Sequence, residues 1–425
     1  MQRNYIVQDF FKRRFQLPEN WTYPSFSTVV LINPKTKFDT KDVAYVPMDA
    51  VNVNSGSIDY VERRNLIENS SLPKFQRNDI LFARITPCIE NGKIGISENL
   101  ENGIASSELI VLRPTEKVIP KYLFYYVKSH RIKEFAVSQM MGTTGRQRVP
   151  DNVFKKYLNF ELPTIHEQQK IASILSNVDE LIQKTDQIIA QTQRIKKGLM
   201  ERILTKGIGH TKFKDIFMGT KSIKLSIPQE WKVQPLDKIA RVIDVRHSTP
   251  HYTKDGYPLI LPNNVKIEGL NLLNTKFTNE KDYLYMIEGD RKPESGDIIY
   301  SRNASFGIAC KVETNTKFSL GQDLVLIKPE KINSYLLYLI LNSTVVTRQL
   351  TRLSTGSTFQ RINLELIRNF LIPCSNDLKE EDEIAIYIQN FEKMIENLIH
   401  RLERLNSVKK GLMQQLLTGK IRVKI

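Results

Sequence analysis

The ten residues KKGLMERILT at 196–205 return as KKGLMQQLLT at 409–418, an offset of 213 in a chain of 425. A sequence that repeats at half its own length has to be folded as two copies of one plan before any local reading is attempted. The offset also relates Ile171-Ala172 to Ile384-Ala385, Asn177 to Asn390 and Ile182 to Ile395. Each copy closes a long stretch whose apolar residues have helical spacing.

In the first stretch Thr164 and Glu167 form a capping-box pattern. The stripe then runs through Ile171, Ile174, Leu175, Val178, Leu181, Ile182, Ile188, Ile189, Ile195, Leu199 and Ile203, and Gly207 is placed to stop the helix. The second stretch starts with Asp377 and Glu380 in the capping positions. It continues through Ile384, Tyr387, Ile388, Phe391, Met394, Ile395, Leu398, Leu402, Leu405, Val408, Leu412 and Leu416 to Gly419. Each helix should be roughly 40 residues and about 60 Å long. Such stripes cannot stay in water. Burial on two separate cores would cover them, and so would packing on each other. Thr185 and Thr192 interrupt the first stripe where Leu398 and Leu405 continue the second, which favours an unlike pair. The expected seam includes Ile171, Leu175, Val178, Ile182 and Leu199 against Ile384, Phe391, Leu398, Leu405 and Leu412.

The segments ahead of the helices repeat more faintly. Leu17-Pro18-Glu19-Asn20-Trp21 answers Ile227-Pro228-Gln229-Glu230-Trp231. DILFAR (79–84) answers DIIYSR (297–302), and LIVL (109–112) answers LVLI (324–327), all four reading as short strands. A helical run near 120–133 answers 334–342, and GTTGRQR (142–148) answers GSTFQRI (356–362). Residues 250–295 align with nothing in the first half. The reading is an α+β chain of two globular modules, each followed by a long helix.

Composition narrows the partners. Lys plus Arg number 62 against 46 Asp plus Glu, giving a net charge of +16 spread along the chain. An anionic partner is expected, nucleic acid ahead of a membrane surface. Three widely spaced cysteines without a CxxC pair fit reduced thiols in a cytoplasmic protein. The N-terminal residues do not read as a signal peptide, and no run of 18 apolar residues could span a membrane.

Catalytic patterns are missing. The chain has no P-loop, no GxGxxG after a strand, no HExxH and no Pro-Pro dipeptide for an adenine methyltransferase motif. Asp290-Arg291-Lys292 with Asp282 is only a loose nuclease match, and His166-Glu167 reads as a solvated cap. No catalytic or metal-binding residue is assigned. What the modules do carry is chemistry suited to DNA. Small residues let a backbone approach closely, Arg and Gln can pair bidentately with guanine and adenine, and hydroxyls hold phosphates. The candidates are Arg84, Thr143, Thr144, Arg146, Gln147 and Arg148 in the first module. In the second they are Arg302, Ser357, Thr358, Gln360 and Arg361. Arg84 and Arg302, at strand ends, suit a structural ion pair as well as a phosphate contact.

With FELPTIHEQ (Phe160–Gln168) and the two KKGLMxxLLT helix ends, the chain resembles the specificity subunits of type I restriction-modification systems, the HsdS family, over nearly its whole length. The second lead-in, Phe370–Glu380, departs from the pattern: it keeps Ile372-Pro373 but has extra residues and no Glu-Gln. The resemblance implies target-recognition domains at 1–161 and 210–371, alternating with conserved helical regions at 162–209 and 372–425. It implies that the helices form an antiparallel coiled coil that spaces the domains, and that each domain reads one half of a bipartite site in double-stranded DNA. Two methyltransferase subunits would dock on the helices and use S-adenosylmethionine. Restriction subunits, translocating and cutting with ATP and Mg, would join them, while this chain itself holds no cofactor. A fused methyltransferase or nuclease, and a coiled-coil scaffold with incidental charge, are the competing expectations.

Overall fold

A computed structural model of the chain describes residues 17–38, 41–69, 71–143, 147–218, 223–302, 307–351 and 362–424. The chain divides into two compact units, residues 1–188 with 398–425 and residues 189–397. Each unit holds one αβ module and one part of each long helix.

In the first unit, Ile80–Ala83 is an inner strand of an antiparallel sheet ordered Val30–Ile32, Leu109–Pro114, Ile80–Ala83, Ile94–Ile96. All of its residues are buried because both faces are covered. Ile80 and Phe82 pack with Tyr122, Leu123 and Tyr126 of the helix Pro120–Lys128. Leu81 and Ala83 pack with Val46, Phe75 and Ala105 of a second sheet. Side chains alternate along a strand, so two covered faces make a continuous apolar run. The second sheet is ordered Glu62–Asn65, Asp42–Val46, Asn102–Ala105, Lys74–Gln76, with its middle pair parallel.

The second unit repeats this plan. Its antiparallel sheet is ordered Ala240–Asp244, Leu324–Pro329, Ile298–Ser301, Ala309–Lys311. Ile298 and Tyr300 face Leu336, Leu337 and Ile340 of the helix Ser334–Leu341, and Ile299 faces Ile260 and Leu320. The register agrees as well: Ile80 pairs with Leu112, and Ile298 with Ile327. The acid before each inner strand is buried and shielded by a base on the neighbouring strand. Asp79 accepts from Gln76 N (2.7 Å) and Arg113, while Asp297 accepts from Glu294 N (2.9 Å) and faces Lys328. Burial pushes both carboxyls up.

Residues 250–295, which align with nothing by sequence, do have a counterpart. Tyr257–Ile260 runs parallel to Ser319–Leu320 as Asp42–Val46 runs parallel to Asn102–Ala105. Each is followed by a 3-10 turn, Pro262–Asn264 and Met48–Ala50. The backbone plan survives where side chains have been replaced.

The two long helices are Ile165–Lys206 and Leu378–Leu416. Gly207 and Gly419 follow them at φ 64 and 68, the left-handed conformation that stops a helix without steric cost. The capping expectation needs a correction. Thr164 does accept from Glu167 N (3.4 Å), but the Glu167 side chain does not turn back to the cap and is fully buried. It accepts from Trp21 Nε1 (2.9 Å) and from Arg422 Nε (2.6 Å). Glu380 does the same in the second unit, taking Trp231 Nε1 (2.9 Å), Ser375 Oγ (2.6 Å) and the His210 ring (2.8 Å). The second lead-in indeed lacks Glu-Gln, but Glu380-Glu381 takes the structural places of Glu167-Gln168.

Pairing of the helices is antiparallel in each unit. In the first, Glu167 meets Arg422 and Asp179 meets Lys409, around Ile171, Leu175, Leu416 and Leu417. In the second, Lys196 meets Glu392 and His210 meets Glu380, around Ile203, Leu204, Ile384 and Ile388. Numbers rise on one helix as they fall on the other. Of the expected seam, Ile171, Leu175 and Ile384 are buried, while Val178, Ile182, Leu199, Phe391, Leu398, Leu405 and Leu412 are half-buried. Thr185 and Thr192 are buried too, and Thr185 Oγ1 is satisfied by Leu181 O (2.7 Å), so they occupy the seam rather than leave it.

One difference between the halves sets a pH dependence. Gln168 Oε1 accepts from Ile119 N (2.8 Å), and its Nε2 donates to Lys117 O and Pro163 O (both 3.0 Å). Glu381 accepts from Asn333 N (2.9 Å) in the same way, but its buried Oε1 makes no hydrogen bond. A carboxylate has no proton to donate. Burial, reinforced by Asp382 and Glu380, pushes this carboxyl up to about 7 against the pull of the Asn333 and Ser375 amides. The folded state therefore keeps a proton that the unfolded chain releases above its ordinary value of 4.5. This contribution is complete below that value and is lost as pH rises through about 7. Glu381→Gln should raise the melting temperature at pH 8 by a few degrees, a gain that shrinks towards pH 5. Melting curves across that range check it, and a gain independent of pH would contradict it.

Candidate nucleic-acid interface

The candidate residues that are described lie where the inner strands of the antiparallel sheets end. In the first module, Arg84 follows Ile80–Ala83 and joins three segments. Its N donates to Glu108 O (2.9 Å), its O accepts from Val149 N (2.8 Å), and its Nε donates to Val149 O (3.2 Å). Its Nη1 lies 3.3 Å from Asp151 Oδ1. The side chain thus ties the end of the polar segment to the strand. Arg302 has the same place. Its N donates to Asp323 O (2.8 Å), its Nε to Ile362 O (2.8 Å), and its Nη1 lies 3.2 Å from Asp244 Oδ1. Only 6% of Arg302 is exposed. Both arginines have partners within the protein that serve its architecture.

Arg148 is different. It pairs by backbone in both directions with Met141 (2.8 and 2.9 Å), and its side chain reaches Glu108. Nε donates to both Glu108 oxygens (3.1 and 2.8 Å), and Nη2 donates to Oε1 (2.6 Å). The Arg148 guanidinium holds the Glu108 carboxyl below the usual carboxylate range, and Glu108 raises the arginine in turn. Arg148 nevertheless remains about half exposed. Thr143 is exposed and Gln147 half-buried, with Gln147 O accepting from Thr86 N (3.3 Å). Thr144 and Arg146, and in the second module Ser357, Thr358, Gln360 and Arg361, lie outside the described residues.

Sequence reading overlooked Glu108, Asp151 and Asp244. A signal for the first was present: an acid stands directly before the strand in both halves, as Glu108-Leu109 and Asp323-Leu324. The 250–295 stretch adds aromatic groups under cations that its sequence did not announce. Lys276 Nζ lies 4.1 Å from the centre of the exposed Tyr252 ring, and Arg246 lies over Tyr285. The nuclease-like Asp290 and Asp282 are engaged elsewhere, with Arg241 and His251. Among the described residues no group of three or more His, Cys, Asp or Glu could hold a metal ion. Nor is any described helix long and apolar enough to cross a membrane.

Two like αβ modules, each joined to long helices and each with an arginine bound at the end of its inner strand, define a two-copy α+β protein. The chain belongs to the family described as the type I restriction modification DNA specificity domain, which matches residues 19–194 and again 228–407. It is similar to the MjaVIII specificity subunit of Methanocaldococcus jannaschii, 29% identical over 76% of each chain. The putative MjaX specificity subunit of the same organism is 27% identical over 99% of this chain and 98% of that one. Among solved structures, the HsdS subunit from Thermoanaerobacter tengcongensis shares the fold, with a TM-score of 0.55 at 17% identity over 96% of this chain and 99% of that one. A chain from work on assembly and conformational transition of the type I R-M system has a TM-score of 0.63 at 19% identity, covering 96% of this chain and all of that one.

The frame and the reading surface should separate in experiment. Arg302→Ala leaves Ile362 O without its donor in a buried place, removes one partner of the half-buried Asp244, and should cost about 1–3 kcal/mol of stability. Arg148→Ala removes a half-exposed pair and should leave the melting temperature nearly unchanged. Thermal melts of the two variants check this, and equal losses would place Arg148 in the frame as well.

Proposed function

We propose that this chain is the DNA-recognition subunit of a type I restriction-modification complex and performs no catalysis itself. Each module reads one half of a bipartite duplex site, and the paired helices dock two methyltransferase subunits. The observation that carries the reading is the repeated frame: Arg84 with Val149, and Arg302 with Ile362, deliver the end of a polar segment to the same strand end in both modules. Two equivalent reading ends on one chain suit two half-sites. The net charge of +16 supplies attraction to the phosphates, while Arg and Gln side chains supply direction.

The helices support the docking part. Beyond the seam, Leu181, Ile188 and Ile195 on the first helix are exposed, as are Tyr387, Met394 and Val408 on the second. Their spacing, in multiples of seven, draws an apolar line along each helix. A line of that kind suits partner helices in an assembly. Methyl transfer from S-adenosylmethionine, and translocation and cutting with ATP and Mg, are assigned to the methyltransferase and restriction partners, in the cytoplasm. The domain limits proposed are 1–161 and 210–371 for the modules, and 162–209 and 372–425 for the helical regions.

The purified chain should transfer no methyl group to DNA, and methylation should begin when the partner methyltransferase is added. A methyl-incorporation assay reads this, and turnover by the chain alone would overturn it. Within the complex, Arg148→Ala should weaken binding through one half-site and Arg361→Ala through the other, each by about 1–3 kcal/mol for a lost base contact. Competition binding with one half-site scrambled at a time measures it. Equal losses on every duplex would make both residues phosphate contacts.

A further inference from the structure

Glu108 has no place in the reading so far, yet it is the partner that fixes Arg148. A guanidinium carries five N–H donors. The pairing with Glu108 uses Nε and one hydrogen of Nη2, the side-on edge. Among the described residues the end-on edge, formed by Nη1 and the second hydrogen of Nη2, has no hydrogen-bond partner, and about half of the side chain is exposed. Two parallel donors on that edge match two neighbouring acceptors, such as O6 and N7 of guanine.

The pair is also held at both ends by one frame. Glu108 O accepts from Arg84 N, and Arg84 O accepts from Val149 N, directly beyond Arg148. Met141 pairs with the Arg148 backbone on its other side. A long flexible side chain is thereby ordered before any ligand arrives, which removes an entropic cost of binding.

Charge separates the two uses of such an arginine. A phosphate contact gains from net positive charge and asks little of geometry. An acid beside the arginine cancels that charge and repels phosphate, which weakens attraction to DNA of any sequence. What the acid adds is aim.

Building on the reading of this chain as a DNA-recognition subunit, we propose that Glu108 is a positioning residue that makes Arg148 a base reader, set to recognise guanine in the half-site of the first module. The corresponding backbone place in the second module is taken by Asp323, whose O accepts from Arg302 N.

The test uses the full chain in complex with its methyltransferase and three kinds of duplex. One carries the methylated motif mapped in cells, one has either half scrambled, and a set has each guanine of a half-site replaced in turn. Glu108→Gln keeps the shape of the side chain and removes its charge. It should lower the ratio of cognate to scrambled affinity by roughly tenfold or more, partly by tightening binding to the scrambled duplex. The loss should map to one guanine and vanish when that guanine is already replaced. Salt dependence gives a second readout. Arg148→Ala should leave the slope of log affinity against log salt nearly unchanged on the scrambled duplex, because a base reader holds no phosphate there, while the Glu108 charge left behind lowers that affinity. The double variant should discriminate no worse than Arg148→Ala alone.

An unchanged affinity ratio in Glu108→Gln, with the wild type discriminating normally, would overturn the role of Glu108 and leave the recognition reading standing. A slope that falls by about one in Arg148→Ala would make Arg148 a phosphate contact and also overturn it. A wild-type complex that does not prefer its mapped motif would remove the recognition reading and this inference together.

Discussion

A carboxylate drawn in from solvent at the start of each long helix is the constraint on which the structure turns. Glu167 is fully buried, where an unpaired charge would cost several kcal/mol, and Glu380 is mostly covered. Each is satisfied by an indole from its own module's lead-in, Trp21 or Trp231. Each is also satisfied by a basic group from beyond the end of the other helix in the same unit, Arg422 or His210. Module, helix start and the chain leaving the opposite helix are therefore locked at one point. Burial alone would raise the Glu380 carboxyl, but hydrogen bonds from Ser375, Trp231 and His210 outweigh it and hold the group below its ordinary range. The two glycines belong to the same device, since a Cβ on Gly207 would meet Glu380 and Trp231, and one on Gly419 would meet Pro18 and Trp21.

With that joint fixed, the rest of each module is free to vary. The inner strand is buried on both faces and tolerates little beyond exchange among apolar or small residues, as ILFA against IIYS shows. The second sheet packs one apolar face on the inner strand, while its other face and its loops are constrained mainly by backbone pairing. They differ almost completely between the halves while keeping the parallel pair. Recognition that has to change between proteins can reside there, and at the strand ends, without disturbing the joint. The helices carry the opposite requirement, because a seam and a docking line both depend on fixed spacing.

Much of this was legible in the residues. Helix spacing, the stop glycines, the DILFAR and DIIYSR strands and the two-copy plan all follow from periodicities that the backbone enforces. The carboxylate joint was not. Glu167 stands where a cap residue would, and only a tertiary partner 146 residues away decides that its side chain turns inward to Trp21. Glu108 was missed for a related reason, since its meaning lies in Arg148 across a sheet end and not in its neighbours. The kinship of residues 250–295 with 42–105 was hidden because hydrogen-bonded backbone conserves topology without fixing side-chain identity. Arg84 and Arg302 were ambiguous by sequence, and their carbonyl and carboxylate partners now account for why arginine stands there.

The central claim is that one chain presents two equivalent, independent reading modules to one duplex. The most direct measurement is methylome sequencing of cells carrying this chain with its partner methyltransferase, repeated after residues 210–371 are exchanged for the matching module of a relative. The account predicts a methylated motif made of two specified blocks separated by unspecified bases, with the exchange changing one block and leaving the other intact. A single continuous motif, or an exchange that alters both blocks together, would contradict it.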